Sequence, residues 1–561
     1  MGVSLDAFPG ASQKPEVTKT APPPSAQPAS SPETPPKKAP GMIRSSAIYS
    51  GLTLVSRLMG FVRDLVISYF LGASANFAAD AFNTAQMFPN LFRRIFAEGA
   101  FAAAFVPAYS KTLDRDGAEV ADKLAADAMA TIAAFTVGLT LISQAAMPWL
   151  MMVISPGFGF GTDKYKLAVI LTQITMPYLP CMAIVALLSG VLNARGKFIV
   201  SAAAPILLNL VTLIAVIPTR NAHDAAVAAS WGILAAGIAQ VMLLVWAVRK
   251  AGATIRWRLP RLTPEIRGLI ALAVPGAIAA SASQINITIS GVLASHVNGA
   301  RTWLAYADRL YQLPLGLVGV AIGVALLPRL SRAVVAEDRR EAQTAMDQAI
   351  VFALALTLPA AVALFSIPFF LIDGLFTRGE FTVFDARQTA NALLHYGWGT
   401  PAFVLARILS PAFFARGDTK SPMRFALVSV AVNIGLGLAL FPFMGVPGLA
   451  AATSAASWIN VLQMVLTLGK RGDYTPSAMA WGKIIRVLAA SVALGMILAA
   501  MSHWRAAIEA PILATGLGSA KELAILATCA VAAGLYPVLL LLSGGVTLAE
   551  AKTVLRRGAG R

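Results

Sequence analysis

Apolar runs of roughly 20 to 30 residues recur along this chain, and they limit the folds available to it more than any other feature. As an α-helix, a run of that length crosses the hydrocarbon core of a bilayer. Charged residues are only 13% of the 561, well below the quarter that is usual in soluble domains. The short alternating segments of a transmembrane β-barrel are missing. The sequence therefore predicts an all-α polytopic membrane protein.

Polar breaks divide the apolar part of the chain into about fourteen predicted transmembrane helices. The narrowest break is the Gly/Pro connection at residues 445–448. The predicted helices cover residues 45–71, 79–110, 127–154, 166–193, 198–218, 224–248, 268–295, 302–328, 345–375, 386–415, 422–442, 446–468, 480–502 and 521–543.

An internal repeat is indicated by motif matches at a constant offset of 221 residues. Residues 194–196 and 415–417, for example, both read Ala-Arg-Gly. Six helices per repeat enter the membrane in the same direction, as in parallel-repeat transporters. The predicted domains are a disordered Pro-rich tail (1–41), an N-terminal lobe of helices 1–6 (42–250), a C-terminal lobe of helices 7–12 (251–475), and helices 13–14 with the C-terminal tail (476–561).

The basic residues are distributed unevenly between the two sets of loops. With the N-terminus inside, roughly 22 Lys and Arg residues fall in the inner loops and roughly 8 in the outer loops. The positive-inside rule therefore predicts that both termini are cytoplasmic. The basic residues flank membrane helices and form no single patch, so the net charge of +18 does not indicate nucleic-acid binding.

Cofactor and metal chemistry have little support in the sequence. The two cysteines, Cys181 and Cys529, lie in separate apolar runs, and the four histidines show no metal-ligand spacing. No glycine loop for phosphates and no nucleophile elbow occurs. We therefore predict a protein without cofactor or enzymatic activity.

Charged and amide side chains inside predicted helices 1, 2 and 8 are the candidate functional residues. Such residues are costly in a bilayer unless they face water or a ligand. The arginines outnumber the buried acids, and the guanidinium fork suits phosphate, so we predict an anionic, phosphate-bearing substrate. The adjacent pairs Arg63–Asp64 and Asp308–Arg309 also fit an alternative, structural ion pairs. The candidates are Arg57, Arg63, Asp80, Asn90, Arg93, Glu98 and Arg309.

Five blocks of sequence, in order, resemble the MurJ/MviN family of bacterial lipid II flippases. They include SRLMGFVRDLVISYFLGA, PNLFRRIFAEGAF, YADRLYQLPLGLVGVAIGVALLPRLS and ARGDTKSPM. The family belongs to the multidrug/oligosaccharidyl-lipid/polysaccharide exporter superfamily. The resemblance implies two pseudo-symmetric six-helix lobes in a V shape, with helices 13 and 14 forming a groove for the lipid tail. The family's cationic cavity residues match Arg57, Arg63, Arg93 and Arg309, and its acidic and polar cavity positions match Asp80, Asn90 and Glu98.

The function that this resemblance implies is translocation of lipid II, the polyprenyl-linked peptidoglycan precursor, to the periplasmic leaflet by alternating access. The expected setting is the bacterial inner membrane, with lipid II and membrane lipids as ligands, a functional monomer, and cell wall synthesis and division proteins as candidate partners. One alternative is export of another polyprenyl-linked oligosaccharide or of drugs. Another is a glycosyltransferase or phosphatase, which the short loops disfavour. Some members have a sodium site with an acid in helix 7, but residues 268–295 contain no Asp or Glu.

Overall fold

The computed structural model describes residues 40–92, 101–514 and 520–546. These residues form eighteen α-helices and one 3-10 turn, Pro156–Phe158, and no strand occurs among them. The predicted disordered tail (1–41) falls almost wholly outside the described residues. The helices are α1 (Pro40–Leu71), α2 (Ala78–Phe92), α3 (Phe101–Asp116), α4 (Ala118–Ile154), α5 (Asp163–Thr175), α6 (Tyr178–Ala194), α7 (Phe198–Val216), α8 (Ala222–Lys250), α9 (Pro264–Ala294), α10 (Ala300–Val335), α11 (Arg339–Ser366), α12 (Pro368–Phe376), α13 (Val383–Phe414), α14 (Lys420–Met444), α15 (Val446–Lys470), α16 (Ala478–His503), α17 (Arg505–Ala514) and α18 (Ala520–Ser543).

In its described residues, every predicted transmembrane segment coincides with a helix or with a pair of consecutive helices, and residues 93–100 of the segment 79–110 lie outside the described part. Nine segments in the described part of the chain are long and apolar enough to cross a membrane. Helices α1, with buried Arg63 and Asp64, and α10, with buried Arg301, are not among the nine. The total of fourteen spans stays a prediction. The nine are Ala118–Ile154, Asp163–Ala194, Phe198–Val216, Ala222–Lys250, Arg339–Ser366, Lys420–Met444, Val446–Lys470, Ala478–His503 and Ala520–Ser543.

Two predicted helices are each divided in two near a proline. The predicted helix at 166–193 breaks between α5 and α6, where Pro177 precedes the first residue of α6. The predicted helix at 345–375 breaks between α11 and α12, and Pro368 is the first residue of α12. Proline lacks the backbone N–H of a helix interior but fits the first turn, which explains both positions.

The predicted break between α14 and α15 is a tight turn made by glycine. Gly445 separates the two helices and has a positive φ of 63°, which a residue with a side chain rarely adopts. At Gly448 an added Cβ would lie 2.9 Å from the carbonyl oxygen of Leu440. The turn therefore brings the two helices closely together, with no room for a larger residue.

The hydrophobic core consists of four clusters within the compact unit Ile48–Arg561. Two clusters draw their buried residues from α1–α8 and the start of α9. The other two draw them from α10–α18, with Ala73 and Ala294 added. The division of the core therefore falls close to the predicted boundary between the lobes, which itself stays a prediction. Of the other unit, Met1–Ala47, the structure describes only the beginning of α1.

The two arginines of the repeated Ala-Arg-Gly motif have partly similar surroundings. Arg195 forms an ion pair with Asp122 at 2.6 Å and donates to the carbonyl of Ala251. Arg416 forms an ion pair with Asp473 at 3.0 Å and also donates to the carbonyl of that residue. Each arginine thus bonds to a carbonyl shortly after the last helix of its predicted lobe, whereas its acid partner lies in α4 for Arg195 and after α15 for Arg416. The internal repeat itself stays a prediction.

The last helices are joined to α12 by a group of charged side chains. Asp373 accepts hydrogen bonds from Arg505 at 2.5 Å and from Lys521 at 3.3 Å. Arg505 also pairs with Glu509 within α17. Much of α18 is exposed on its other sides, and Leu542 is 79% exposed. Helix α18 is therefore held at one end by ion pairs while it presents an apolar surface outward.

Candidate functional site

Helices α1 and α10 meet at a group of charged side chains, the Arg63–Asp64–Arg309 cluster. Arg63 donates from Nε (3.1 Å) and Nη2 (2.7 Å) to Oδ1 of Asp64. Arg309 of α10 lies on the other side, with its Nε 2.7 Å from Oδ2. The side chains of Arg63 and Asp64 are only 9% and 10% exposed, whereas that of Arg309 is 48% exposed. One carboxylate thus faces two guanidinium groups, and the cluster keeps a net positive charge.

A cavity of about 710 Å³ lies next to this cluster. Arg57, Arg63 and Arg309 line the cavity, and no carboxylate is among the described residues of its wall. Asp64 is paired with both Arg63 and Arg309, so the three arginines and this one carboxylate leave an excess of positive charge that attracts anions. The amide and hydroxyl residues of the wall come from seven helices and are Ser56, Gln86, Asn90, Thr175, Tyr178, Ser189, Asn193, Ser201, Asn209, Gln240 and Gln312.

The wall of the cavity is unevenly divided between the two halves of the chain. Among the described residues of the wall, most belong to α1, α2, α3, α5, α6, α7 and α8, and those of the second half belong to α10. Asn209 of α7 donates to the carbonyl of Ser56 at 3.0 Å and so fixes α7 against α1. The sequence analysis did not identify this amide, because one polar residue in an apolar run is only a weak signal.

Arg57 is placed by a glycine of α10. Its guanidinium packs directly over Gly316, where an added Cβ would overlap Nη1. A residue with a side chain at this position would therefore displace the arginine. The second half of the molecule thus helps to position a cation that α1 carries.

The candidate residues of helix 2 have different outcomes. Asn90 lines the cavity, as predicted for a ligand-binding residue. Arg93 and Glu98 lie outside the described residues, so their predicted roles stay predictions. The structure therefore brings Arg57, Arg63, Asn90 and Arg309 together around one cavity.

Asp80 lies away from this cavity, at the first turn of α2. Its side chain is fully buried and forms an ion pair with Lys164 at 2.7 Å. The carboxylate also accepts hydrogen bonds from the backbone of Gly299 (2.8 Å) and from the backbone and hydroxyl of Thr302 (3.2 and 2.8 Å). Asp80 therefore caps the N-terminus of α10, where a negative charge is favourable. This geometry offers no support for the substrate-binding role predicted for Asp80.

Arg301 is a buried cation that the sequence analysis missed. It is 6% exposed and donates to the hydroxyl of Thr84 and to the carbonyls of Ile154 and Gly291, at 2.5 to 2.9 Å. Its guanidinium also lies 5.2 Å from the ring centre of Phe158. These contacts join the start of α10 to α2, α4 and α9, so Arg301 serves the packing of the helices rather than the cavity.

The start of α13 joins the same region. Asp385 accepts hydrogen bonds from the backbone and hydroxyl of Ser74 (3.1 and 2.5 Å) and from the indole of Trp303 (2.9 Å). The backbone of Glu380 donates to the carbonyl of Tyr69. The connection between α1 and α2 is therefore fastened to α10 and α13, and this end of the helical body is closed.

Metal binding has no support in the part of the chain that the structure describes. No group of three or more His, Cys, Asp or Glu residues is placed there to hold an ion. The chemistry available at the cavity is therefore hydrogen bonding and charge attraction from arginine, amide and hydroxyl groups.

Comparison with known sequences identifies a match over most of the chain. The family model described as lipid II flippase MurJ matches residues 67–515. A protein of Rhizobium tropici described as a probable lipid II flippase MurJ is 38% identical over 523 residues, which are 92% of this chain and 97% of that protein. The family match includes Asn90 and Arg309 and begins just after Arg57 and Arg63.

Solved structures resemble the fold. A lipid II flippase MurJ in an inward closed conformation superimposes with a TM-score of 0.72 and 23% identity, over 92% of this chain and 100% of that chain. An inward-facing multidrug resistance transporter of the MATE family and MOP superfamily gives a TM-score of 0.64 and 14% identity, over 76% of this chain and 98% of that chain. The helix arrangement is therefore that of this group of transporters.

Proposed function

This chain belongs to the lipid II flippase MurJ family, and we propose that it moves lipid II from the cytoplasmic to the periplasmic leaflet of the bacterial inner membrane. It is an integral membrane protein, and the proposed activity is transport without covalent chemistry. Movement of the headgroup through a wet cavity would avoid the cost of taking its charges through hydrocarbon.

The observation that carries the proposal is the cavity lined by Arg57, Arg63 and Arg309, without a carboxylate among its described wall residues. Lipid II joins its lipid tail to its sugar–peptide head through a pyrophosphate. Guanidinium groups donate paired hydrogen bonds to phosphate oxygens and stay charged at any physiological pH. The amides and hydroxyls of the wall can bind the sugars and the peptide. The cavity thus supplies the groups that the headgroup needs.

The same observation weighs against export of cationic drugs, the activity class suggested by the multidrug transporter that shares the fold. A cationic drug would find no carboxylate among the described wall residues, and it would be repelled by the net charge of the Arg63–Asp64–Arg309 cluster. Another polyprenyl-linked oligosaccharide would satisfy the arginines equally well. It remains the second candidate, and the sugar and peptide contacts would decide between the two.

Asp64 gives the cavity a way to release its cargo. The carboxylate already holds Arg309 at 2.7 Å, so a pyrophosphate that binds Arg309 must compete with Asp64. When the cargo leaves, Asp64 can take back the guanidinium, which spares the protein an isolated buried charge. We propose that the lobes 42–250 and 251–475 rock against each other between these two states. Cargo drives the change only to the extent that it binds the states unequally.

The lipid tail needs no chamber of its own. We propose that α16 and α18, in the segment 476–561, offer it an apolar groove, because α18 presents exposed residues such as Leu526 and Leu542. We propose that both termini are cytoplasmic, because this orientation puts most of the basic loop residues on the inner side of the membrane.

The test is transport in cells whose own lipid II flippase can be depleted. The wild-type chain is expected to restore growth and to restore lipid II in the outer leaflet, measured by cleavage with an externally added enzyme that degrades lipid II. The curated relative from Rhizobium tropici serves as the positive control. If the relative restores outward lipid II and this chain, present at the same membrane level, does not, the proposed substrate is wrong.

Gly316→Ala should reduce transport several-fold without unfolding the protein. The added Cβ would displace the guanidinium of Arg57, which is mobile enough to move away from the helix. A displacement of about 1 Å at a binding group is enough to lower rates strongly. The same transport assay measures the effect, with thermal unfolding in detergent as the check on folding.

Gly435→Ala is the matched control for this variant. Gly435 also lies within a long apolar helix, α14, but nothing lies within 4 Å of the position of an added Cβ. The control should transport like wild type. Equal transport by both alanine variants would mean that the contact between Gly316 and Arg57 has no functional role.

A further inference from the structure

The connection between α8 and α9 is an exposed segment with fixed ends, here named the α8–α9 segment (residues 255–262). Before it, the backbone N–H of Thr254 donates to the Asp122 carboxylate at 2.7 Å, and Ala253 is 1% exposed. After it, the hydroxyl of Thr263 caps the first turn of α9. Only Ile255 packs against a core cluster, and residues 256–262 are all exposed. The segment therefore lies on the surface in a defined place.

Basic and large apolar side chains alternate along this segment. Its arginines are Arg256, Arg258 and Arg261, and none of them forms an ion pair within the part of the chain that the structure describes. Trp257 is 67% exposed and Leu259 is 80% exposed. Leu262 is 59% exposed. Exposure of three large apolar residues within six positions is unfavourable in water. The segment is therefore suited to an interface that binds positively charged and apolar side chains together.

The flanking helices place the segment at the level of a membrane surface. It follows the last turn of α8, a helix long and apolar enough to cross the bilayer. In that turn Lys250 lies 4.9 Å from the ring centre of Trp246, which is itself 55% exposed. Exposed tryptophan and basic residues at the end of a membrane helix are typical of the lipid headgroup region. The next helix, α9, begins directly after the segment.

We propose that the α8–α9 segment binds negatively charged phospholipid headgroups of the leaflet that it faces. The arginines would contact the phosphates, while Trp257, Leu259 and Leu262 enter the boundary between headgroups and acyl chains. Basic residues at an anionic membrane surface and inserted apolar residues both contribute to such binding. Because both ends of the segment are fixed to helices, bound lipid would hold the connection between the two halves of the chain at the membrane surface.

Lipid is the occupant that these observations favour over an acidic soluble protein. The segment follows α8, which is long and apolar enough to cross the bilayer, so anionic headgroups lie near it at high local concentration. An acidic protein would pair with the arginines but would leave Trp257 and the leucines in water, unless it also offered an apolar groove. The proposal concerns binding alone and does not depend on the transported substrate.

The first test titrates phosphatidylglycerol onto the purified full-length protein in detergent, with bound lipid counted by native mass spectrometry. The variant Arg256→Gln/Arg258→Gln/Arg261→Gln should bind the lipid at least about tenfold more weakly than wild type. The control, Arg339→Gln/Arg340→Gln/Lys470→Gln, removes the same charge from exposed positions outside the α8–α9 segment and should bind like wild type. Lipid attracted by the cavity arginines is common to all three proteins. Equal loss in both variants, or no loss in either, would overturn the proposal.

The second test locates Trp257. The protein is reconstituted into vesicles of phosphatidylglycerol that carry brominated acyl chains, which quench only tryptophan in contact with lipid. Wild type should show a quenched emission component that Trp257→Phe lacks. If Trp257 is instead quenched by aqueous iodide and unaffected by the brominated lipid, the segment lies in water. An acidic soluble partner would then be the better occupant, and the lipid proposal would be wrong.

Discussion

Arg309→Ala should abolish lipid II export while the protein remains folded in the membrane. Arg309 supplies the only cation of the described cavity wall that comes from α10, and its side chain is 48% exposed. Removing one partner of a desolvated, hydrogen-bonded charge pair costs about 2 to 5 kcal/mol of binding, which is on the order of 30-fold or more in affinity. Asp64 would keep Arg63 as its counter-ion, so the loss should fall on the cargo and not on folding. The measurements are growth of the depleted strain and outward lipid II at matched membrane levels.

Two further variants distinguish a substrate-binding role of Arg309 from a structural role. Arg329→Ala is the control, because Arg329 lies on the same helix, is 40% exposed and forms an ion pair with Glu341 outside the cavity wall. It should export normally. Arg309→Lys keeps a cation beside Asp64 but loses the planar fork, so it should fold normally and export poorly. Full export by the lysine variant would mean that charge alone suffices, and full export by Arg309→Ala would remove Arg309 from the substrate site.

The cationic cavity could be predicted from the sequence because its cause is local. Arg57 and Arg63 lie in an apolar run, and such residues are retained in a membrane only where water, a partner or a ligand meets them. That argument needs no knowledge of the fold, and the structure confirms that both residues reach one cavity with Arg309. The substrate-binding roles of these residues stay predictions until transport is measured.

The pairing within the cavity depended on contacts that the sequence does not encode locally. Both Asp64 and Asp308 stand next to an arginine in sequence, so two adjacent ion pairs were an open alternative. The structure forms the adjacent Arg63–Asp64 pair and also places Arg309 on the same carboxylate, across two helices that are about 245 residues apart in sequence. Only the packing of α1 against α10 decides which carboxylate receives the second arginine.

The contacts of Asp80 could not be predicted from the sequence. The sequence places Asp80 near a membrane edge, and the family resemblance implies a cavity role for it together with Glu98 and Asn90. The residues that it contacts, Lys164 and the N-terminus of α10, come from distant parts of the chain. Helix capping by a residue of another helix leaves no signature near the acid itself, since the usual capping signal lies within a few residues of the helix start.

Asp80→Ala should be among the most destabilising single substitutions in this protein. The side chain is fully buried, and its removal leaves the ammonium of Lys164 and the backbone N–H groups of Gly299 and Thr302 without their acceptor. Breaking a buried pair in this way costs about 3 to 5 kcal/mol. We expect a lower melting temperature in detergent and a lower level of folded protein in the membrane. Asp80→Asn should be less severe, because the amide oxygen still accepts from α10.

A nearby exposed acid is the matched control for this experiment. Asp163 is 84% exposed and lies 3.7 Å from Lys166, so Asp163→Asn should change the stability by less than about 0.5 kcal/mol. The Asp80→Asn/Lys164→Gln double variant should recover part of the loss, because it leaves no buried charge unpaired. If Asp80→Ala instead melts like wild type and fails to bind lipid II, then Asp80 is a substrate residue. The binding site would then extend beyond the present cavity to the start of α10, because substrate would have to reach the carboxylate that now caps that helix.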